Sequence, residues 1–276
     1  MQGIIVRIIS NLYTVKTEDD FRLCRSRGKF RNMGLTPLVG DKVIIDEKNN
    51  YILKIEERKN ELLRPRVANI DTCLIVTSLK HPDFSSFLLD KMIVNISSNN
   101  IEPIIVFSKY DLLTDEEKKE MNCIINYYKN VGYKVIINTE YDKILEYLKG
   151  KVVALTGQTG AGKSTLLNKI CPDLNLKTDD ISEALGRGKH TTRHVELFDV
   201  DGIYFVDTPG FSALDLNVED KENIKFAFKE FNNNGCKFRN CKHINESGCQ
   251  VIKDVEEENI LRSRYENYKK MVVEWK

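Results

Sequence analysis

The pattern of apolar and polar positions divides the chain into three parts, and the first part is a series of short strands. β-rich segments separated by polar turns are found at residues 3–9, 12–16, 21–25, 42–46 and 52–56. Five short strands within about 60 residues are typical of a small closed barrel, and the OB-fold is the most frequent barrel of this size. We therefore predict an N-terminal OB-fold β-barrel over residues 1–66.

In the second part, residues 67–218, segments with strand and helix patterns alternate. The continuous apolar runs at 73–78 and 103–107 are typical of strands buried on both faces, and helical spacing lies between them at 87–96. Thr114 and Glu117 form a capping-box pattern ahead of a helix to about residue 130. Further segments have strand patterns at 134–137, 152–155, 195–200 and 203–206, and a short helix at 144–148. The alternation predicts an α/β domain built on a mainly parallel sheet.

The third part, residues 219–276, is predicted to be a small helical domain. Residues 222–231 have the pattern of a short amphipathic helix. Near the end of the chain, large apolar residues recur at helical spacing and predict a packing face: Ile260, Leu261, Tyr265, Tyr268, Val272 and Trp275. Pro65 marks a linker between the first two parts.

A phosphate-binding loop lies in the second part, between a predicted strand and a predicted helix. The nine residues that fit G-x-x-x-x-G-K-[ST] and its continuation are Gly157, Gln158, Thr159, Gly160, Ala161, Gly162, Lys163, Ser164 and Thr165. Glycines let backbone N–H groups turn toward phosphate oxygens, Lys163 reaches the β- and γ-phosphates, and the Ser164 hydroxyl ligates Mg²⁺. The motif predicts a nucleoside triphosphate site with Mg²⁺.

A second motif, Ser108-Lys109-Tyr110-Asp111, follows the strand at 103–107. An Asp in this place accepts two hydrogen bonds from guanine N1–H and the 2-amino group, a donor pair that adenine lacks, and the Lys stem covers the base. Ser108 stands where guanine-nucleotide proteins usually have Asn, so we expect weaker bracing of this loop. The motif predicts that the nucleotide is GTP or GDP.

Two segments after the phosphate loop are candidate switches. The polar stretch 178–193 contains Thr191 and Thr192, one of which would supply a second protein ligand to Mg²⁺; we favour Thr192, although physical reasoning does not separate them. Asp207 ends the strand at 203–206 and would hold a Mg²⁺-bound water, while the Gly210 N–H would sense the γ-phosphate.

The group that orients the attacking water is not at the position usual in Ras-like enzymes. Phe211 occupies the position in which Ras-like enzymes carry the Gln that orients water. His190 can hydrogen-bond a water molecule, and we expect it to take that part beside Lys163.

Three cysteines and one histidine near the end of the chain predict a zinc site. Cys236, Cys241, His243 and Cys249 have the spacing C-x4-C-x-H-x5-C and supply one Cys₃His tetrahedron.

The N-terminus lacks a signal-peptide layout and no apolar run is long enough for a membrane span, so we expect a cytoplasmic protein with reduced thiols. The remaining cysteines, Cys24, Cys73, Cys123 and Cys171, are dispersed.

Charge points to an acidic partner for the barrel. Residues 1–66 contain 14 Lys and Arg against 9 Asp and Glu, whereas residues 67–276 contain 28 against 32. Residues 22–31 hold five cations close to Phe21 and Phe30. Cations for phosphates and aromatic rings for bases indicate RNA binding.

The order of the motifs is that of a circularly permuted GTPase, since the guanine motif precedes the phosphate loop and the second switch comes last. With the barrel, Arg-Gly-Lys-His-Thr-Thr at 187–192, Asp-Thr-Pro-Gly-Phe at 207–211 and the zinc spacing, the whole chain resembles the bacterial ribosome small-subunit-dependent GTPase A (RsgA-type) family. The resemblance implies a GTP phosphohydrolase that binds rRNA on the small (30S) ribosomal subunit late in assembly and is stimulated by that subunit. It also supports His190 as the catalytic residue. We expect a monomer that does not act on membranes.

Other functional classes stay open at this level. The chain could be a P-loop ATPase, which Asp111 disfavours, or a P-loop NTPase with an RNA-binding role unrelated to ribosome assembly. It could also be an RNA-binding protein with a vestigial nucleotide pocket, which the intact Lys163, Ser164 and Asp207 disfavour.

Overall fold

The computed structural model describes residues 1–28, 30, 34–63, 66–170, 195–207, 221–231 and 235–274. Most strands of these ranges belong to a single 11-stranded sheet that runs from the N-terminal barrel into the central domain. Among the described residues, no helix is both long and apolar enough to cross a membrane.

The N-terminal strands form a closed five-stranded barrel, as predicted. The strands are β1 (Gln2–Ile9), β2 (Leu12–Lys16), β3 (Phe21–Ser26), β4 (Lys42–Asp46) and β5 (Tyr51–Ile55). They pair in the order β1-β2-β3-β5-β4, and β4 pairs back with β1 to close the barrel. Alternate residues such as Ile5, Val15, Cys24 and Ile45 fill its interior. Each predicted strand lies within one residue of the observed one.

A short hairpin follows the barrel where the sequence indicated only a linker. Its strands are β6 (Glu61–Leu63) and β7 (Arg66–Ala68). Asp41 beside β4 is fully buried, and its carboxylate accepts hydrogen bonds from Arg58 Nε at 2.7 Å and Arg58 Nη2 at 2.8 Å. This ion pair ties the barrel to the segment that leads into the hairpin.

The central domain is a mainly parallel sheet with helices on both faces. Its strands are β8 (Thr72–Ser78), β9 (Glu102–Ser108), β10 (Lys134–Ile137), β11 (Val152–Thr156), β12 (Glu196–Val200) and β13 (Ile203–Asp207). They lie in the order β10-β9-β8-β11-β13-β12, and only the β12–β13 hairpin is antiparallel. The helices are α1 (Ser86–Ser98), α2 (Asp115–Asn130), α3 (Asp142–Leu148) and α4 (Lys163–Ile170). The capping box of Thr114 and Glu117 at α2 is confirmed.

Two cores cover the faces of this sheet. Leu89, Ile93 and Tyr128 of α1 and α2 pack in one core, and Ile144 and Leu166 of α3 and α4 pack in the other. The strands β8 and β9 are buried along almost their full length, as their continuous apolar runs indicate.

β12 also pairs with β1, through Arg7 and Glu196, which joins the barrel to the central sheet. The sequence pattern did not predict this pairing, because the two partners are far apart along the chain and each has strand character on its own.

The C-terminal part contains α5 (Gln250–Glu256) and α6 (Arg262–Glu274). The short amphipathic helix predicted at 222–231 is present as two 3₁₀ helices, Lys221–Ala227 and Lys229–Phe231. Phe228 and Phe231 stack with ring centroids 5.0 Å apart, and the Phe231 N–H donates a hydrogen bond to the carbonyl oxygen of Phe228 at 2.9 Å. The predicted packing face is present in α6, where Tyr265 and Tyr268 are buried; Trp275 lies outside the described residues.

Candidate nucleotide site and metal centre

The phosphate-loop sequence lies between β11 and α4, at the edge of the sheet where the parallel strands end. Gly157 has φ +140°, and a Cβ there would lie 2.1 Å from the carbonyl oxygen of Val76. Only glycine fits at this point, because the loop crosses the backbone of β8 in contact. Thr159 and Gly160 at the top of the loop are exposed, so a ligand can reach the loop from solvent.

Lys163 and Ser164 begin α4 at the base of the loop. The Lys163 ammonium donates hydrogen bonds to the carbonyl oxygens of Gly157 at 2.6 Å and Gln158 at 2.9 Å. Burial lowers the pKa of Lys163. Ser164 is buried in the first turn, close to the loop. The helix start and the lysine together place positive potential at the loop, which is the requirement for phosphate binding.

The guanine-motif sequence is packed directly against this loop. Ser108 is buried, and its hydroxyl lies 2.5 Å from the carbonyl oxygen of Ala161 and 3.3 Å from that of Thr77. The hydroxyl therefore joins the end of β9 to the phosphate loop. The expectation that Ser108 braces the loop more weakly than Asn is a statement about affinity and stays a prediction.

Lys109 and Asp111 complete this side of the site. Lys109 has φ +59°, and its ammonium donates hydrogen bonds to the carbonyl oxygens of Gly160 at 2.8 Å and of His81. The lysine stem thereby spans from the motif to the loop. Asp111 is exposed, and the Nδ2 of Asn138 donates a hydrogen bond to its carboxylate. The Tyr110 hydroxyl donates a hydrogen bond to the side-chain oxygen of Asn122 at 3.1 Å.

Asn138 was not singled out from the sequence. It follows β10, which lies parallel beside β9, so both strand ends reach the same edge of the sheet. Polar residues directly after a parallel strand are the signal that could have found it.

The switch residues are described only in part. Asp207 is the last residue of β13, which lies parallel beside β11, so it ends at the same edge as the phosphate loop. His190, Thr191, Thr192 and Gly210 lie outside the described residues.

The four predicted zinc ligands come together in one cluster, with all their donor atoms within 4.8 Å of one another. The Nδ1 of His243 lies 3.6 Å from the Cys236 sulfur and 3.4 Å from the Cys249 sulfur, and the two sulfurs are 4.0 Å apart. A tetrahedral zinc with Zn–S bonds of about 2.3 Å requires sulfur separations of about 3.8 Å. The Cys₃His set therefore fits a structural zinc ion.

Glu246 holds the loop that carries these ligands. Its carboxylate accepts hydrogen bonds from the backbone N–H groups of Lys242 at 2.6 Å, Ile244 at 2.9 Å and Asn245 at 3.1 Å. Although partial burial alone would raise the pKa of Glu246, these hydrogen bonds lower it to about 2. The carboxylate thus fixes the backbone on both sides of His243.

The barrel carries an exposed aromatic and cationic surface on β3. Phe21 is 59% and Leu23 57% exposed, and the exposed Arg25 continues the same outer row. The Lys16 ammonium lies 4.8 Å from the Phe21 ring centre. Phe30, which the sequence placed in this surface, is instead buried in the barrel core and cannot stack on a base.

A permuted strand order around a phosphate loop, with a guanine motif packed on that loop, defines the class of circularly permuted P-loop GTPases. Two family models match this chain: the RsgA GTPase over residues 55–217 and the RsgA N-terminal domain over residues 2–52. The chain belongs to the RsgA GTPase family and is a GTP hydrolase.

Named relatives match along the whole chain. The small ribosomal subunit biogenesis GTPase RsgA of Geobacillus kaustophilus is 46% identical, with 100% of this chain and 97% of the relative covered. The protein of the same name from Lactococcus lactis is 45% identical, with 96% and 92% covered. Among solved structures, YjeQ from Thermotoga maritima has a TM-score of 0.85 at 37% identity, with 99% of this chain and 97% of that chain covered. YloQ, a circularly permuted GTPase, has a TM-score of 0.83 at 34% identity, with 99% and 94% covered.

Proposed function

We propose that this chain is a GTPase of small ribosomal subunit biogenesis, which binds the 30S subunit and its rRNA and hydrolyses GTP with stimulation by that subunit. The observation that carries the proposal is the match over the full chain to relatives named for this process. Ribosomal subunits of bacteria are assembled in the cytoplasm, and we place the protein there, acting as a monomer.

In this proposal the nucleotide lies across the edge formed by β9 and β11. The loop residues 157–165 surround the phosphates, and the side chains of Lys163 and Ser164 contact the β- and γ-phosphates and Mg²⁺. Asp111 accepts the guanine N1–H and 2-amino groups, and the stem of Lys109 covers the base. The support is the packing of Ser108 and Lys109 on the loop, because a base bound at the guanine motif would then lie close to phosphates bound at the loop.

The remaining groups belong to the switches. Thr192 would be the second protein ligand of Mg²⁺, Asp207 would hold a water molecule bound to the ion, and the Gly210 N–H would bond to the γ-phosphate. His190 orients the attacking water. A Mg²⁺ ion held by these residues would neutralise charge at the transferred phosphoryl group.

We propose a separate role for each of three domains. Residues 1–66 bind rRNA through the β3 surface, residues 67–218 bind and hydrolyse GTP, and residues 219–276 form the zinc domain, which positions the protein on the subunit. The exposed Phe21 and Arg25 support the first part, because rings stack on bases and cations neutralise phosphates.

The test is GTP hydrolysis by the purified protein, alone and with purified small or large ribosomal subunits. We expect slow hydrolysis alone and a large stimulation by small subunits only. Equal stimulation by both subunits, or none, would contradict the assembly role and favour an NTPase with an RNA-binding role elsewhere. Competition between GTP and excess ATP in the same assay separates a GTPase from an ATPase.

A further inference from the structure

The first strand of the barrel, β1, takes part in two sheets. One of its edges pairs with β2 over residues 4–9. Its other edge pairs first with β4 over residues 2–4, which closes the barrel, and then with β12 at Arg7. The strand that closes the barrel therefore also continues the central sheet.

A β-bulge separates these two pairings. Two steps along β1, from Ile5 to Arg7, correspond to one step along β2, so Val6 is an extra residue in the strand. Ile5 packs inside the barrel, whereas Val6 packs in the core of the central domain, which also contains Leu197 of β12. Because a bulge bends a strand and redirects its side chains, β1 can serve both cores.

Arg7, Glu196 and Asp207 form a row across three neighbouring strands. Arg7 lies opposite Glu196 in the pairing of β1 with β12, and Glu196 lies opposite Asp207 in the pairing of β12 with β13. The Nε of Arg7 also lies 3.4 Å from the carboxylate of Glu196. Neighbouring strands are about 4.8 Å apart, so the backbone of Asp207 lies about 10 Å from the backbone of Arg7. The barrel is thus two strands away from the residue that would hold a Mg²⁺-bound water.

We propose that Arg7 and Glu196 are positioning residues for GTP hydrolysis, because their pairing fixes β12 in register with the barrel and thereby sets the position of Asp207. The inference rests on the proposed function, and in particular on the role of Asp207 at the Mg²⁺ side of the nucleotide. It gives the barrel a part in the reaction besides RNA binding, since a barrel held on RNA also holds the strands that end at the nucleotide site.

The ion pair specifies the register of β12 more than it stabilises the fold. The two side chains are 48% and 32% exposed, and ion pairs at such positions contribute little to stability. A slip of β12 by one residue would place Val195 or Leu197 opposite Arg7 and would turn the buried Leu197 out of the core. Charge and packing therefore select the same alignment.

The position of Asp207 depends on this alignment because β12 and β13 form one hairpin. β13 lies parallel beside β11, which leads directly into Gly157 of the phosphate loop. A displacement of about 1 Å at a reacting centre can lower a rate by about 10²-fold. A small movement of the hairpin relative to β11 would therefore be enough to slow hydrolysis without unfolding the domain.

The experiment reverses the two charges singly and together, in Arg7→Glu, in Glu196→Arg and in the double variant that combines them. Turnover is measured with saturating small subunits, and affinity for the subunit is measured separately by sedimentation. We expect each single variant to lower turnover by about 10- to 100-fold and the double variant to recover most of the loss. Lys269→Glu, which breaks an exposed ion pair of the same 3.4 Å length on α6, is the control and should keep its turnover.

A second readout does not depend on hydrolysis. The affinity for a non-hydrolysable GTP analogue is measured with and without Mg²⁺. The gain in affinity that Mg²⁺ produces should be smaller by about tenfold in each single variant, as expected for a change outside the direct ligands of a metal, and should return in the double variant. The affinity without Mg²⁺ should be the same in all four proteins, because the phosphate loop and the guanine motif are unchanged.

The double variant separates the pair from its members. Single variants that keep the turnover and the Mg²⁺ gain of the parent protein overturn the proposal. A double variant that recovers neither quantity overturns it as well, and would mean that Arg7 acts on RNA without Glu196. If small subunits do not stimulate the parent protein, the proposed function fails, and the Mg²⁺ gain still decides whether the pair positions Asp207.

Discussion

Arg264 of α6 forms an ion pair with Asp90 of α1, and both side chains are buried completely. The same guanidinium donates hydrogen bonds to Glu230 at 2.8 and 2.9 Å and lies 4.6 Å above the ring centre of Phe228. Although burial alone lowers the pKa of Arg264, the two carboxylates raise it well above the usual value. One arginine thus joins the C-terminal part to the central sheet domain through charges that water does not reach.

Replacement of Arg264 by Met should lower the free energy of unfolding by about 3–5 kcal/mol, because it leaves Asp90 and Glu230 buried without a counter-charge. Chemical denaturation monitored by fluorescence measures this loss. Arg262→Met, at an exposed position on the same helix, is the matched control and should stay within about 0.5 kcal/mol of the parent protein.

The pair itself is tested by combining Arg264→Met with Asp90→Asn. The double variant should lose less stability than the sum of the two single variants, because it removes the charge that Arg264→Met leaves unpaired. Strictly additive losses would mean that the two residues do not interact in solution.

Glu246 should raise the zinc affinity of the loop that carries the Cys₃His ligands. Glu246→Gln removes the negative charge that three backbone N–H groups share, and we expect zinc affinity to fall by about 10- to 100-fold. Competition with a chromogenic chelator measures the affinity. Glu256→Gln, at an exposed residue of α5, is the control. An affinity in Glu246→Gln equal to that of the control would show that the carboxylate does not support the metal loop.

The pH dependence of this effect has a defined sign. The pKa of Glu246 is lowered from 4.5 to about 2 in the folded protein, so its contribution is complete above about pH 4.5 and is lost as the pH falls toward 2. The ratio of zinc affinities between the parent protein and Glu246→Gln should therefore be the same at about pH 7 and about pH 5.5. A ratio that shrinks between these pH values would place the pKa of Glu246 much higher.

The elements set by local patterns were predictable and those set by long-range packing were not. Apolar alternation gave the barrel strands, and the capping box at Thr114 gave the start of α2. The pairing of Arg7 with Glu196 between barrel and sheet has no local signal. Phe30 was misplaced because one aromatic residue in a basic segment suits a core and a surface equally.

The functional residues divide in the same way, into those that a local sequence motif identifies and those that only long-range packing brings into place. The phosphate loop, the guanine motif and the zinc ligands were recognisable because their chemistry fixes residue type and spacing. Asn138 was missed because its partnership with Asp111 depends on two parallel strands lying side by side. Arg264 was missed because a buried arginine and a surface arginine are identical in a sequence.

The β3 surface of the barrel should carry RNA affinity without carrying stability. Phe21→Ala should weaken RNA binding by about 1–3 kcal/mol if a base stacks on the ring, while thermal unfolding changes little because the ring is exposed. Arg25→Ala should make the slope of log binding constant against log salt concentration smaller by about one, as expected for one lost phosphate contact.

Fluorescence anisotropy with small-subunit RNA at several salt concentrations measures both effects. Val273→Ala, at a residue 72% exposed on α6, provides a control for an apolar surface change elsewhere. Unchanged RNA affinity in Phe21→Ala and Arg25→Ala together would remove the β3 surface from the RNA interface.

His190 should act in the chemical step and not in nucleotide binding. Because the position after Asp-x-x-Gly is Phe211, which cannot orient water, His190→Ala should lower subunit-stimulated turnover by about 10²- to 10⁴-fold while leaving GDP affinity unchanged. Single-turnover hydrolysis with saturating small subunits measures the step directly. His194→Ala, a second histidine close by in the sequence, is the matched control and should keep its activity. If His190→Ala retains full stimulated turnover, another group positions the water; if it loses subunit binding instead, His190 is a contact residue for the subunit.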